Sequence, residues 1–373
     1  MNQSPQRRNQ IRFHCLDSLR AIAAFAVIYS HAAVFFEAPP FRLPLLLRAL
    51  FDPKSAVVFF FVLSGFVLHL SIKNKHRTDL SYADFIIKRV FRIYPLFYLS
   101  ISINYLIVIN IPVDYVQTIQ EGSGLHVMLG SSHDSFSNWF HQLTLIDHKF
   151  DSNFLNPPSW TLAAEMRVAL MFPFISLILI KLRAAKGAVF VLAVFLACFF
   201  LGEVTIQTIQ IIPVFALGAF LAETKIWEKV SFNPLRFSIY ALVSISFYCW
   251  PAYRSFLGTP TTISFYLSSV GAIGIIILVL SSPRLRAILE NRLLTALGRW
   301  SYGLYILHFG VFLVVSLMGK YWIPLNPSTS FVLAIFLLIL LSATTFNFLE
   351  LPFIHLGRHI TKRPKKKPDH AHA

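Results

Sequence analysis

Long apolar stretches recur along the whole chain, and they constrain its fold more than any other feature. A helix that crosses a bilayer needs about 20 predominantly apolar residues. Stretches close to that length are predicted to span the membrane at 16–36, 53–72, 93–113, 157–180, 187–202, 204–222, 235–252, 261–281, 300–318 and 329–350. With 56% hydrophobic residues and a mean hydropathy of +0.63, the chain has too much apolar surface for a soluble fold. The sequence therefore predicts an all-α, polytopic integral membrane protein with about ten transmembrane helices.

Basic residues predict the orientation of these spans, because cytoplasmic loops carry an excess of Lys and Arg. With the N-terminus in the cytoplasm, 25 of the 33 Lys and Arg residues fall on the cytoplasmic side, six on the opposite side and two within spans. Both termini are therefore predicted to face the cytoplasm. The net charge of +16 is then mainly a topology signal, and nucleic acid is not expected as a partner.

The segments outside the spans define the predicted domain organisation. Residues 1–15 form a cytoplasmic tail, 16–356 the membrane domain, and 357–373 a basic cytoplasmic tail beside anionic lipid headgroups. The longest loop, 114–156, lies on the outer side and contains four histidines and three aspartates: His126, His133, His141, His148, Asp134, Asp147 and Asp151. Their spacing lacks the close pairs of a metal site, so a polar cap over an outward-facing pocket is favoured. No metal site and no disulfide framework is expected.

The first span carries ionisable residues inside the apolar stretch LDSLRAIAAFAVIYSHAAVFF. Such residues are costly within a bilayer, so a paired or functional role is expected. Arg20 and His31 are eleven residues apart, which places them on one helix face and roughly 16 Å apart along the axis. Asp17 lies one turn before Arg20 on the same stripe and is expected to orient the guanidinium. The stretch is too long and too often interrupted for a cleavable signal, and it is expected to be retained.

The fourth span, within NPPSWTLAAEMRVALMF, places Glu165 five residues below Trp160 at the outer interface. Glu165 and His31 are then each roughly 7–8 Å inside the outer ends of their helices, which predicts that they pair. A neutral imidazole oriented by a carboxylate is a competent general base near neutral pH. Two alternatives stay open: Glu165 pairs with Arg167 or Arg20 to hold helices together, or His31 only bridges helices.

Two arginines lie at the cytoplasmic rim of the third span, in KRVFRIYPLFYLS. Arg89 and Arg92 are three residues apart and share a helix face, and guanidinium groups bind phosphate in bidentate geometry. A phosphate-bearing ligand and anchoring to lipid headgroups are both consistent with this spacing. In the second span, Ser64 and Gly65 favour close helix packing. A serine nucleophile is disfavoured, because the attacking hydroxyl can come from a substrate.

The ninth span, in GRWSYGLYILHFGV, places Tyr302, Tyr305 and His308 within the membrane. Interior hydrogen bonding and pocket lining are both consistent with their spacing. Pocket lining by Ser64, Tyr302 and His308 is the prediction adopted for the ligand site. Arg254 and Glu350 are interpreted as interfacial residues.

Six segments together resemble the acyltransferase-3 family of polytopic membrane O-acyltransferases. They occur in family order over nearly the whole chain: LDSLRAIAAFAVIYSH, FFFVLSGFVL, RVFRIYPLFY, SWTLAAE, SYGLYILH and FLELPFIHLGR. The first contains an arginine and a histidine separated by ten residues, and the third contains an Arg-x-x-Arg pattern. Ser18 follows Asp17 where many family members have Gly, which keeps a small residue. No globular domain follows the tenth span, so a second protein is a candidate for completing the transfer.

The resemblance implies transfer of an acyl group, usually acetyl, from an acyl-CoA donor to a hydroxyl of a sugar, a surface glycan or a lipid-linked glycan. It implies His31 as the catalytic base, Arg89 and Arg92 as ligands of the donor phosphates, and Glu165 as the family's glutamate. Arg20 and Asp17 complete the predicted catalytic set. No tightly bound cofactor is expected, since acyl-CoA is a co-substrate. The expected location is the cell membrane, in bacteria the inner membrane, and homo-oligomer formation is left open.

A secondary transporter is the main alternative, because many transporters also combine about ten helices with ionisable residues near the midplane. No internal repeat relates residues 1–180 to 190–373. A family member that only senses or scaffolds is a third possibility, which the presence of both Arg20 and His31 disfavours. For an enzyme, Tyr302 or a backbone N–H is expected to stabilise the oxyanion.

Overall fold

The described part of the molecule is built from helices. The computed structural model describes residues 13–36, 43–76, 81–112, 115, 135–145, 155–201 and 207–361, and no strand occurs within these ranges. In chain order the α-helices are α1 (His14–Phe35), α2 (Leu45–Leu50), α3 (Pro53–His76), α4 (Tyr82–Val108), α5 (Ser135–Gln142), α6 (Trp160–Leu201), α7 (Gln207–Thr224), α8 (Pro234–Tyr248), α9 (Trp250–Leu257), α10 (Thr261–Ser281), α11 (Pro283–Leu289), α12 (Arg292–Arg299), α13 (Ser301–Tyr321), α14 (Pro327–Thr345) and α15 (Leu351–Ile360). Short 3₁₀ helices cover Pro157–Ser159 and Ile226–Glu228, and a π-helical turn covers Phe346–Glu350.

Nine segments in the described ranges are long and apolar enough to cross a membrane. They are His14–Phe35, Leu47–Asn74, Tyr82–Val108, Pro157–Leu182, Ala184–Leu201, Thr208–Glu228, Thr261–Ser281, Ser301–Tyr321 and Pro327–Ile360. The all-α, polytopic class is confirmed, with one such segment fewer than predicted. The difference lies at 235–252, where α8 ends after 15 residues and α9 begins beyond Cys249. Pro251 in the first turn of α9 has no N–H and cannot continue the preceding helix, and 15 residues rise only about 22 Å.

Helix α6 contains two of the nine segments and folds back between them. The side chain of Leu179 lies 3.5 Å from the position of a Cβ on Gly187. Eight residues of straight helix rise about 12 Å, which excludes such a contact. The same position on Gly187 is 3.3 Å from Phe220 of α7, so α7 packs where the bend is. The predicted loop at 181–186 is therefore a helical bend.

Local sequence explains where several helices begin. The Ser81 side chain caps α4 by accepting from the backbone N–H of Asp84. Asn233 and Asn326 cap α8 and α14 in the same way, each followed by a proline in the first helical turn. Small polar residues at the N-cap satisfy otherwise unpaired N–H groups, and proline fits the first turn because its missing N–H has no role there.

Helices α3 and α7 cross with their backbones in contact. A Cβ on Gly65 would lie 2.1 Å from the carbonyl oxygen of Phe215, and a Cβ on Gly218 would lie 2.1 Å from that of Val62. Glycine is required at both positions, since no side chain fits such an approach. The close packing predicted for the Ser64–Gly65 pair is confirmed.

Helix α1 packs against α3, α12 and α13, while α3 also contacts α6, α7 and α10. Phenylalanines that are completely buried, including Phe66, Phe172 and Phe215, fill the core between α3, α6 and α7. The two cavities considered below are bounded by these helices. Most of the predicted outer loop and of both tails lies outside the described residues, so the orientation of the termini and the domain limits stay predictions.

Candidate active site

A small cavity of about 120 Å³ brings together most of the polar residues predicted for the site. Its polar lining consists of Arg20, Ser64, Arg89, Arg92, Thr161, Glu165, Ser301, Tyr302 and Tyr305. Arg89 and Arg92 share a cavity, as their spacing predicts. We call this the arginine cavity.

An ion pair between α4 and α6 forms one wall of the arginine cavity. The Arg89 guanidinium donates from Nη2 to Oε1 of Glu165, and the Ser64 hydroxyl donates to the same oxygen at 2.9 Å. Arg89 is only 8% exposed, so the pair neutralises a charge that would be costly to leave alone in an apolar bundle. Ser64 is a hydrogen-bond donor here, and the expectation that it is not the nucleophile stays a prediction.

Arg20 forms an ion pair with a residue of its own helix, α1. Its Nη1 donates to Oδ1 of Asp17 at 3.0 Å, which confirms the predicted pairing one turn apart. Arg92 differs from both other arginines, since it is exposed and makes no ion pair with the described part of the chain. Two guanidinium groups are therefore fixed in place by carboxylates, and a third is free to meet a ligand.

The Tyr302 hydroxyl donates to the carbonyl oxygen of Ile93 at 2.6 Å. Tyr302 lines the arginine cavity and has no part in the lining of the cavity that contains His31. It therefore lines a cavity, as predicted for the ligand site, while the choice between Tyr302 and a backbone N–H as the oxyanion donor stays open.

A second cavity, of about 520 Å³, contains His31 in its wall. Its other polar lining residues are Lys54, Trp160, Gln210, Arg254, Thr261, Ser264 and Tyr305, and its apolar ones include Val27, Val57, Ile211 and Phe265. We call this the histidine cavity. Ligand pockets commonly have volumes of about 300–1,000 Å³, so this one has room for a small substrate.

Two acceptors hold the imidazole of His31. Its Nδ1 lies 3.0 Å from the carbonyl oxygen of Val27 and 3.3 Å from Nε2 of His308. Nδ1 of His308 in turn lies 2.6 Å from the carbonyl oxygen of Tyr305. Carbonyl oxygens only accept, so both neutral rings carry their proton on Nδ1, and His308 accepts from His31 through Nε2. This leaves Nε2 of His31 as the atom that can take up a proton.

His308 supports His31 and does not line a pocket. It is completely buried and belongs to the lining of neither cavity, so its predicted place in the ligand-binding lining is wrong. The physical reason is its position three residues after Tyr305 on α13, where the side chain points between α13 and α1 toward His31. The ring centroids of the two histidines are 5.1 Å apart.

Glu165 does not pair with His31, contrary to the prediction. Its hydrogen bonds go to Arg89 and Ser64, whereas Trp160 of the same helix lines the histidine cavity. Five residues turn an α-helix by about 140°, so Trp160 and Glu165 face different cavities. Depth alone could not reveal this rotation.

Tyr305 and Val57 line both cavities and form the wall between them. The Tyr305 hydroxyl donates to the carbonyl oxygen of Pro158 at 3.2 Å and accepts from the Thr161 hydroxyl at 3.0 Å. The ring also packs edge-on against Phe60, with centroids 5.7 Å apart. These contacts hold the Tyr305 side chain in place where the two cavities meet.

Three charged residues lie in places that the sequence did not indicate. Arg254, interpreted as interfacial, lines the histidine cavity together with Lys54. Glu350, also interpreted as interfacial, is buried in the π-helical turn, and its Oε1 makes no hydrogen bond within the described ranges. Lys54 and Arg254 are 200 residues apart in sequence, so no local pattern connects them.

Comparison with known proteins gives a match over nearly the whole chain. The family model described as an acyltransferase domain, Acyl_transf_3, matches residues 13–347, which include every residue that lines either cavity. A Rhizobium radiobacter protein described as "Protein 2 in picA locus" is 35% identical over 107 residues, 28% of this chain and 47% of that protein. The chain thus matches about half the length of this relative. No solved structure matches the chain. Because the family model covers most of the chain, the protein belongs to the acyltransferase-3 family of membrane acyltransferases.

Proposed function

We propose that the protein transfers an acyl group, acetyl in the simplest case, from acyl-CoA to a hydroxyl of a sugar or surface glycan. The observation that carries the proposal is the setting of His31. Its imidazole stands in the wall of a 520 Å³ cavity, and two acceptors hold its Nδ1. A histidine with a fixed tautomer and a free Nε2 is suited to act as a general base.

The arginine cavity suits the charged part of the donor. Arg92 makes no ion pair with the described residues, and Arg20 and Arg89 are oriented by Asp17 and Glu165. Guanidinium groups arranged in this way bind phosphate oxygens in bidentate geometry. With a volume of about 120 Å³, the cavity admits only the narrow acyl-bearing arm, so the nucleotide part of the donor stays at its mouth.

The shared wall gives the acyl group a short route to the base. The thioester reaches the histidine cavity by passing between Tyr305 and Val57, the residues common to both linings. The acceptor enters the histidine cavity separately. Donor and acceptor thus meet at the wall, and neither has to cross the whole bundle.

In the reaction, Nε2 of His31 takes the proton of the acceptor hydroxyl as its oxygen attacks the thioester carbonyl. The imidazolium formed keeps its Nδ1–H on the Val27 carbonyl and on His308, which stabilises the positive charge. Collapse of the tetrahedral intermediate breaks the carbon–sulfur bond and forms the ester. The proton on His31 passes to the leaving thiolate, which restores the neutral base.

The distribution of Lys and Arg supports the placement of the arginine cavity at the cytoplasmic side. In that orientation the histidine cavity faces outward, and the protein transfers an acyl group across the bilayer without moving the whole donor. A bacterial inner membrane would supply the acyl-CoA on one side and glycan on the other.

The test compares base-labile acyl esters on envelope glycans from cells that express the wild type or His31→Ala at equal membrane levels. His355→Ala is the matched control, since His355 is an exposed histidine of α15. We expect the wild type and the control to form one defined ester that His31→Ala lacks, because loss of a general base costs about 10²- to 10⁴-fold in rate.

Unchanged esters in the His31→Ala cells would exclude His31 as the base. If the wild type formed no ester in cells or with purified glycan and labelled acyl-CoA, the transferase proposal would fail. A label that crosses the membrane without covalent transfer would then favour the transporter alternative.

A further inference from the structure

The histidine cavity has a positively charged lining. Lys54, in the first turn of α3, and Arg254 of α9 both line it, and no carboxylate is among its lining residues within the described ranges. The Arg254 guanidinium donates to the Thr261 hydroxyl, a contact that orients the group and leaves its charge in place. Asp52 caps α3, where its Oδ2 accepts from the backbone N–H and the hydroxyl of Ser55 at 2.8 Å each.

Helix dipoles add to this positive potential. The cavity is lined by Lys54, Trp160, Gln210 and Thr261, which lie in the first turns of α3, α6, α7 and α10. The N-terminus of an α-helix carries a partial positive charge, and its free N–H groups favour anions. The Asp52 carboxylate already caps α3, so the N-termini of α6, α7 and α10 act on the cavity together with the two cationic side chains.

The remaining lining fits a polar acceptor that carries hydroxyl groups. Gln210, Thr261 and Ser264 offer hydrogen-bond donors and acceptors, and the ring of Trp160 offers an apolar face. Such a mixture of a few polar groups with aromatic surface is usual for small-molecule sites. A neutral sugar would leave the two positive charges of Lys54 and Arg254 without a partner.

We infer that the acceptor is anionic: a hydroxyl-bearing carbohydrate with a carboxylate or phosphate group that binds Lys54 and Arg254. This inference rests on the proposed acyl transfer and narrows its acceptor. Arginine binds both anions through two parallel hydrogen bonds, and lysine adds a point charge. The anionic group then anchors the sugar while one of its hydroxyls lies at His31.

Binding measured without any acyl donor tests this inference. The purified full-length protein in lipid nanodiscs is titrated at constant ionic strength with methyl glucuronide, a glucose phosphate and neutral methyl glucoside, and the shift of the unfolding midpoint is followed. At least one of the anionic sugars is expected to bind about tenfold more tightly than the glucoside, since hydrogen bonds to charged groups are the stronger class. The two anionic probes distinguish carboxylate from phosphate as the recognised group.

Lys54→Gln and Arg254→Gln should each reduce this preference, and the double variant should abolish it. Arg48→Gln is the matched control, because Arg48 is an exposed cation of α2 outside the cavity lining. Equal affinity of the wild type for charged and neutral sugars would overturn the inference, as would a preference that survives in the folded single variants. His31→Gln should bind as the wild type does and form no ester, so failure of acyl transfer and failure of anion recognition give different results.

Discussion

The two cavities share a wall but differ in how they hold charge, although each contains a cation without an ion pair, Arg92 in the arginine cavity. In the arginine cavity, Glu165 neutralises Arg89 and Asp17 neutralises Arg20. In the histidine cavity, Lys54 and Arg254 stand without a lining carboxylate within the described ranges. A buried charge must be paired, whereas one that reaches solvent or a ligand need not be. The carboxylates therefore orient the two paired arginines before a ligand binds, whereas Lys54 and Arg254 can be neutralised by an anion that enters the cavity.

Removing Glu165 should have the largest effect, because it leaves Arg89 charged, buried and alone. Loss of one partner of a buried ion pair costs about 3–5 kcal/mol, so Glu165→Ala should strongly lower the free energy of unfolding of the purified protein. Lys54→Gln removes an unpaired, exposed cation, so it should change the free energy of unfolding by less than about 0.5 kcal/mol.

The double variant Arg89→Met with Glu165→Leu separates stability from function. It removes both charges, so the folded protein should return to near wild-type levels while acyl transfer stays low for lack of a phosphate ligand. Full activity in this variant would show that the ion pair only holds α4 against α6. Equal losses of stability in Glu165→Ala and Lys54→Gln would contradict the contrast between the cavities.

The next effect concerns how the histidine cavity keeps its base in position. His308→Leu removes the acceptor at 3.3 Å from His31 and leaves the ring held by Val27 alone. Misplacement of a catalytic group costs about 10- to 100-fold, so kcat should fall by this amount while KM for the acyl donor is unchanged. His308→Gln, whose amide oxygen can accept the same hydrogen bond, should recover part of kcat. A change in KM alone would instead place His308 in donor binding.

The sequence predicts local relations well. Asp17 and Arg20 are one helical turn apart, and Arg89 and Arg92 share a face, so helix periodicity alone brings each pair together. The length of the apolar stretches predicts most of the membrane spans, because a helix needs about 20 apolar residues to cross a bilayer. These features depend on residues that are neighbours in the chain.

Relations between distant helices could not be predicted in the same way. His31 and His308 are 277 residues apart, and Glu165 has the depth expected for a partner of His31 but faces away. Depth follows from counting residues, whereas the rotation of each helix depends on contacts such as the glycine crossing of α3 and α7. The cations Lys54 and Arg254 line one cavity because of how α3 and α9 pack, and this packing cannot be read from either helix alone.

The shared wall predicts a smaller, selective effect. Tyr305→Ala widens the passage between Tyr305 and Val57, so more water should reach the donor thioester and hydrolysis should compete with transfer. We expect the ratio of ester formed to CoA released to fall several-fold, since water exclusion protects reactive groups. Tyr305→Phe keeps the ring and should hold this ratio near the wild-type value. An unchanged ratio in Tyr305→Ala would mean that the wall does not separate the cavities in function.

A third polar cluster has the arrangement of a catalytic triad but lies outside both cavities. Nδ1 of His69 lies 2.9 Å from the Ser176 hydroxyl, and its Nε2 lies 2.9 Å from Oε2 of Glu223, which also pairs with Lys73. The order Ser–His–Glu matches that of a nucleophile, base and orienting acid. His69 and Ser176 are completely buried, and neither lines either cavity.

Ser176→Ala should therefore have the smallest effect on acyl transfer, since no substrate reaches the hydroxyl. It should lower the free energy of unfolding by about 1 kcal/mol, the net worth of a typical hydrogen bond, and leave kcat and KM unchanged. The measurement is a transfer assay beside a denaturant titration, with His31→Gln as the inactive reference. A large loss of kcat in a stably folded Ser176→Ala protein would mean that access opens during turnover, and the cluster would then belong to the reaction. Unchanged kinetics would mean that a triad geometry without a cavity only joins helices α3, α6 and α7.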